Sequence, residues 1–187
     1  MINNHVPTIF SALFVFAATL AGSANAAGVE DKLTACNACH GQNGEPVDVN
    51  TPIIWGQQTN FLVKQLHDYR AGDRENPIMA AMAKTLTQEE LRPAAAYFTG
   101  KPWPARKATA AATPAPDGIA TCQICHQDKF MGGAPAPRLA GQSYEFLIKA
   151  MDGFANGART NNMDMVKIMQ ELPADKRQAI AHYIAGL

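Results

Sequence analysis

Two stretches of the chain carry apolar or partly apolar positions at helical spacing. These are Phe61, Leu62, Gln65, Leu66 and Tyr69, and then Phe146, Leu147, Ala150, Met151 and Phe154; each set predicts a helix with one face on a core. Thr87-Gln88-Glu89-Glu90 reads as a capping box opening a helix to about Phe98, with Pro93 in its opening turns, where a missing N–H is tolerated. Pro173-Ala174-Asp175 opens a matching helix that runs to about Ala185. No stretch alternates as a strand would, and the segments Gly41 to Pro52 and Met131 to Pro137 are rich in Gly and Pro. The pattern predicts an all-α protein with irregular loops.

The predicted helices fall into two copies. Cys36-Asn37-Ala38-Cys39-His40 recurs 86 residues on as Cys122-Gln123-Ile124-Cys125-His126. Gly56-Gln57 and Phe61-Leu62-x-Lys64 recur at an offset of 85, as Gly141-Gln142 and Phe146-Leu147-x-Lys149, and Gly72, Arg74 and Asn76 meet Gly157, Arg159 and Asn161. The offset returns to 86 for Leu86 with Leu172, Tyr97 with Tyr183 and Gly100 with Gly186. A repeat of this period predicts two similar units. Between them, residues 101–116 contain four prolines among Ala, Thr and basic residues, a composition that predicts an extended, semi-rigid linker.

The amino terminus stands apart. Residues 1–26 contain no Asp, Glu, Lys or Arg, Ile9 to Gly22 is an apolar run, and Ala24-Asn25-Ala26 supplies a small-x-small cleavage pattern. The run is shorter than the ~20 residues that cross a bilayer, so a cleaved signal peptide is expected, followed by unit one at 27–100, the linker at 101–116 and unit two at 117–187. Cleavage at that point is expected to leave the mature chain outside the cytoplasm.

Composition narrows the partners. The 187 residues carry 16 basic and 16 acidic side chains, leaving no basic excess to neutralise a phosphate backbone, and no nucleic-acid partner is expected. Residues 27–100 hold 6 basic against 9 acidic residues, so unit one is mildly acidic, while 117–187 hold 7 of each.

All four cysteines lie in the two Cys-x-x-Cys-His blocks. Two thiols three positions apart on one helical turn can form thioethers with the two vinyl groups on one edge of a haem, and the adjacent histidine can face the iron. A thioredoxin-like disulfide would need neither the histidine nor the repeat. A zinc site built from Cys36, Cys39, Cys122 and Cys125 would leave His40 and His126 unused, and two CxxC disulfides would close only tiny loops. Two covalently bound haem c groups are therefore expected. They also supply the core that units of ~70 residues struggle to build from side chains alone.

For the second axial ligand the repeat discriminates among the methionines. Met79 and Met165 correspond at the offset of 86, each seven residues before Leu86 and Leu172, whereas Met82 maps to Ile168, and Met163 and Met169 map to Pro77 and Ala83. His67 and His182 have no counterparts. The expected iron ligands are His40 with Met79 and His126 with Met165. Pro52 and Pro137 correspond as well, and their carbonyls are candidates to accept the Nδ1 proton of each histidine, with a rigid loop corner as the alternative role.

With these residues assigned, the chain resembles the class I c-type cytochromes and in particular the diheme cytochrome c4 family. The likeness rests on Cys36 to His40, Cys122 to His126, the Pro-x-x-x-Gly-Gln segments at 52–57 and 137–142, Met79, Met165 and the terminal helices. It implies two tandem cytochrome c-like helical haem domains joined by a Pro/Ala-rich linker, carrying electrons between respiratory redox partners. Those partners would be a quinol-oxidising complex, a terminal oxidase or reductase, or a dehydrogenase subunit, with peripheral membrane association left open. An alternative role is the diheme electron-accepting subunit of a dehydrogenase, such as a flavoprotein oxidising a sulfur compound; a diheme oxidase or peroxidase would require one iron to open. Two departures stand out. Only Asp117 to Thr121 precede Cys122, predicting a shortened first helix in unit two, and Gln127 stands where unit one has Gly41.

Overall fold

The computed structural model describes Met1 and residues 24–105 and 114–187. The apolar run of the expected signal peptide and the centre of the linker lie outside the described residues. Among those described there are eight α-helices and no strand, only an isolated bridge between Gly133 and Ala136. Unit one contains α1 (Ala24–His40), α2 (Thr59–Ala71), α3 (Pro77–Lys84) and α4 (Leu91–Thr99); unit two contains α5 (Ile119–His126), α6 (Tyr144–Ala155), α7 (Met163–Glu171) and α8 (Ala174–Ala185).

In each unit the helix after the loop is the hub. α2 packs on α3 and α4, and α6 on α7 and α8. The apolar stripes expected from the spacing are on the inside: Leu62, Leu86, Leu91, Ala94, Ala95 and Phe98 join Val29 and Leu33 of α1 in one core. Leu147, Met151, Phe154, Val166, Met169, Ile180 and Ile184 form the other. Thus each unit keeps its own apolar centre.

Two helices, α3 and α7, were not signalled by apolar periodicity. Their start is local chemistry: Asn76 and Asn162 are N-caps whose side chains accept from the backbone N–H of Met79 and Met165, at 2.9 Å in both cases. The structural partner of Asn76 is therefore Asn162, not Asn161 as the offset of 85 implied; the register has already changed before α7. The other end is closed by an arginine in each unit, from different helices. Arg70 of α2 donates to the carbonyls of Ala83 and Leu86, and Arg177 of α8 to those of Met169 and Leu172.

α4 begins at Leu91, later than Thr87. The Glu90 side chain accepts from Thr87 N–H at 2.7 Å, which is one half of the capping box, but it is also drawn toward Lys32 of α1 at 2.6 Å. Pro93 lies in the first turn, where helical bonding only starts with Ala94 N–H donating to Glu90 O.

The shortened first helix of unit two is real: α5 has 8 residues, whereas α1 has 17, of which all but the first three lie in unit one. Where Leu91 is buried beneath α1, the matching residue of α8 is Arg177, bonded to Asp152 at 2.8 Å. A second exchange adjusts the volume near the Cys-x-x-Cys-His blocks. In unit one Gly44 lies against the Trp55 ring, which a Cβ would meet at 2.8 Å; in unit two the corresponding residues are Phe130, fully buried, and Ala140. The large ring comes from the opposite loop position, so the two cores are filled by different residues.

The units meet in a reciprocal contact. Gln57 and Gln142, repeat mates that are both 2% exposed, each bond across to backbone of the other unit. Trp103 of the linker lies over the seam, where a Cβ on either Gly56 or Gly141 would come within 3.1 Å of it.

Candidate functional site

Each Cys-x-x-Cys-His block is the last part of a helix, α1 or α5, so that its histidine closes the helix and turns inward. His40 and His126 are 7% and 8% exposed. Within each block the first thiol, Cys36 or Cys122, is partly buried and the second, Cys39 or Cys125, is exposed; none is in a disulfide. Burial pushes the Cys36 and Cys122 thiols up, so they remain protonated and available at neutral pH.

The imidazoles are held by the prolines singled out in the sequence. His40 Nδ1 lies 2.8 Å from the Pro52 carbonyl, and His126 Nδ1 lies 3.0 Å from that of Pro137. A carbonyl only accepts, so each Nδ1 carries the proton and each Nε2 is left with its lone pair, the tautomer a metal ligand requires. Burial holds both imidazoles below their ordinary range, favouring the neutral form against the smaller opposing effect of the carbonyl.

The loop that brings each carbonyl back depends on left-handed backbone just after the histidine. Gly41 has φ +93°, and a Cβ there would sit 2.0 Å from the Glu45 carbonyl oxygen. Gln127 adopts φ +63° at the same place in unit two, a conformation costly for a residue with a Cβ.

Met79 and Met165 occupy the same position in α3 and α7, the third residue of each helix, and both are partly buried. Met163, by contrast, is 68% exposed, and Met169 is core. His67 is exposed beside Asp68, and His182 stacks on Tyr144 with ring centroids 3.9 Å apart. The residues each unit offers, two thiols outside any disulfide, an Nε2 lone pair and a partly buried methionine, fit a covalently attached haem.

Sequence reasoning gave no role to a polar cluster at the seam. Gln65 Oε1 accepts from Arg74 at 2.6 Å, from Arg159 at 3.1 Å and from Asn161 at 3.1 Å. Asp68 accepts from Asn161 at 2.6 Å and pairs with Lys64. The arginines lie over aromatic rings, Arg74 on Tyr69 and Arg159 on Phe154. Desolvation, and then the nearby Arg74 charge, lower the Arg159 guanidinium to about 9. Such crowding of like charge is the arrangement an anionic group relieves. The repeat contained a signal, since Arg74 and Arg159 correspond, but their convergence depends on how the units pair.

No family model matches the chain. It is 34% identical to the cytochrome c4 of Pseudomonas aeruginosa over 90% of this chain and 93% of that one. It is also 32% identical to the thiosulfate dehydrogenase electron acceptor of Stutzerimonas stutzeri, over 86% and 82% of the two chains. Among solved structures, the cytochrome c4 of Acidithiobacillus ferrooxidans superposes with a TM-score of 0.72 at 25% identity, covering 82% of this chain and 99% of that one.

Proposed function

The chain belongs to the cytochrome c4 family, and on that footing we propose that it is a periplasmic one-electron carrier in which His40 and Met79 hold one haem iron and His126 and Met165 the other. It is a diheme electron-transfer cytochrome with two covalently bound haem c groups. When bound, each haem supplies a one-electron ferric/ferrous couple. Cys36 and Cys39 anchor the first haem and Cys122 and Cys125 the second, and the division of the chain is 1–26, 27–100, 101–116 and 117–187.

The observation that carries the ligand assignment is the matched local chemistry of the two units. A proline carbonyl holds each Nδ1 proton and leaves Nε2 for the metal, and an Asn cap fixes the start of the helix bearing each methionine. A thioether is a soft, neutral ligand that raises the potential, as a carrier feeding an oxidase or reductase needs. Arg74 and Arg159, which converge on Gln65 at the seam, would supply counter-charges for the propionates of a bound haem. No helix among the described residues is long and apolar enough to cross a membrane.

Methionine substitution tests the ligands. Met79→Ala and Met165→Ala should each retain two covalent haems by mass, yet bind carbon monoxide at one reduced haem where the native protein binds none. A variant that still refuses carbon monoxide has another sixth ligand.

Similarity to a thiosulfate dehydrogenase electron acceptor favours a second reading, in which the chain accepts electrons as part of a dehydrogenase complex. Stable copurification with a catalytic subunit from the native cell supports that role. Isolation as a lone protein reduced by a quinol-oxidising complex supports the free carrier.

A further inference from the structure

The hydrogen bonds of Pro52 and Pro137 do not end at the histidines. Pro52 C=O and Ile53 N–H belong to one planar amide. Its oxygen accepts from His40 Nδ1, and its N–H donates to Oε1 of Gln142 in the other unit at 2.9 Å. The same side chain returns a bond from Nε2 to the Ile53 carbonyl at 2.8 Å. The mirror image is complete: Pro137 C=O accepts from His126 Nδ1, Arg138 N–H donates to Gln57 Oε1 at 2.8 Å, and Gln57 Nε2 donates to Arg138 O at 2.9 Å. Because a backbone N–H can only meet the amide oxygen and a carbonyl only the amide nitrogen, the orientation of both glutamines is determined.

We propose that Gln142 and Gln57 are positioning residues that tune the haems crosswise, each glutamine setting the potential of the haem in the opposite unit through a single shared amide. This rests on His40 and His126 as iron ligands. Donating its N–H at one end of an amide pushes electron density along it and makes its carbonyl oxygen a stronger acceptor, so hydrogen bonds in series reinforce one another. A stronger acceptor pulls harder on the Nδ1 proton, and the ring becomes a richer donor to the iron. A richer donor favours the ferric state and lowers the potential. The redox step itself is one electron in from a donor protein and one out to an acceptor; no bond forms or breaks, and the Nδ1 proton stays on the ring. Burial of both glutamines keeps water from substituting for them.

If the glutamines merely fasten the units, cutting either one affects both haems together or neither. Crosswise tuning predicts otherwise. The two potentials are measured on the holoprotein by spectroelectrochemical titration, with each haem identified by its NMR resonances. In Gln142→Leu the haem attached at Cys36 and Cys39 should shift upward and the other stay put; in Gln57→Leu the pattern should reverse. The shift should change the reduced-to-oxidised ratio at fixed potential by about fivefold or less, the worth of one neutral hydrogen bond. The His40 Nδ1 proton should move toward the position of a weaker bond only in the first variant, and the His126 proton only in the second.

Ser143→Gly provides the control, since Ser143 Oγ donates across the seam to Val49 O without touching either proline amide; both potentials should hold. Should Gln142→Leu fold poorly, Gln142→Glu retains an oxygen for Ile53 N–H and should leave the His40 Nδ1 proton at its native position or farther toward a stronger bond. Shifts confined to the glutamine's own unit, equal shifts at both haems, no shift, or a Ser143→Gly shift matching that of Gln142→Leu would overturn the proposal. Failure of the ligand reading is distinguishable, because the native protein would then lack iron-shifted resonances from His40 or His126 before any glutamine is changed.

Discussion

At the residue after the histidine of each Cys-x-x-Cys-His block, one unit uses glycine and the other a strained glutamine. Gly41 is buried, and a Cβ would strike the Glu45 carbonyl, so Gly41→Ala should cost about 3 kcal/mol from overpacking and left-handed strain together. Gln127 is exposed and adopts φ +63°, so Gln127→Gly should stabilise unit two by about 1 kcal/mol. Thermal unfolding of the holoproteins checks both, and opposite signs are expected. Phe130 is the other residue on which unit two depends; Phe130→Ala should cost about 3–5 kcal/mol and lower the transition of unit two first. What the residues disclosed in advance was chemistry of local spacing: the Cys-x-x-Cys-His blocks, and the proline carbonyls twelve and eleven residues beyond their histidines. The exchange of Trp55 and Gly44 for Ala140 and Phe130 was hidden, because a ring supplied from the other side of a cavity leaves no match in a residue-by-residue repeat.

Elements differ in how much of their origin is local. α2, α6 and α8 were legible from periodicity and breakers because each spends several turns on a core. α3 and α7 have 8 and 9 residues, too short for a stripe to declare itself, and their signal was an Asn followed three residues on by Met. α1 and α4 are joined by Lys32 and Glu90, a pairing no local pattern could reveal across 58 residues. That pair has a pH dependence. The Lys32 ammonium, then the Thr87 N–H, hold the Glu90 carboxyl below its ordinary value of 4.5. A carboxyl depressed in the folded state contributes stability that is present above the unfolded value and is lost as pH falls through the folded one. Hydrogen exchange at the start of α4 should therefore accelerate as pH drops below about 4.5, beyond the intrinsic pH trend. Lys32→Met should abolish that extra acceleration; an unchanged profile in the variant would remove the pair from any role in docking α1.

For the whole molecule the decisive features are reciprocal. Gln57 and Gln142 were visible as repeat mates, as were Arg74 and Arg159, but a repeat says which residues are equivalent and not that they face one another. Their meeting depends on the packing of Gly56 and Gly141 beneath Trp103, which brings the two Pro-x-x-x-Gly-Gln loops together. At the seam, Arg159→Gln should lower both potentials, because removing a positive charge destabilises the extra electron on either iron; spectroelectrochemistry reads the sign directly. The central claim remains two equivalent His/Met centres in one chain. Near-infrared magnetic circular dichroism of the fully oxidised holoprotein, with iron counted per chain, tests it most directly. Two low-spin ferric haems, both with a sulfur-to-iron charge-transfer signature of methionine ligation, are the predicted result. A bis-histidine or high-spin signature at either haem, or one iron per chain, would contradict it.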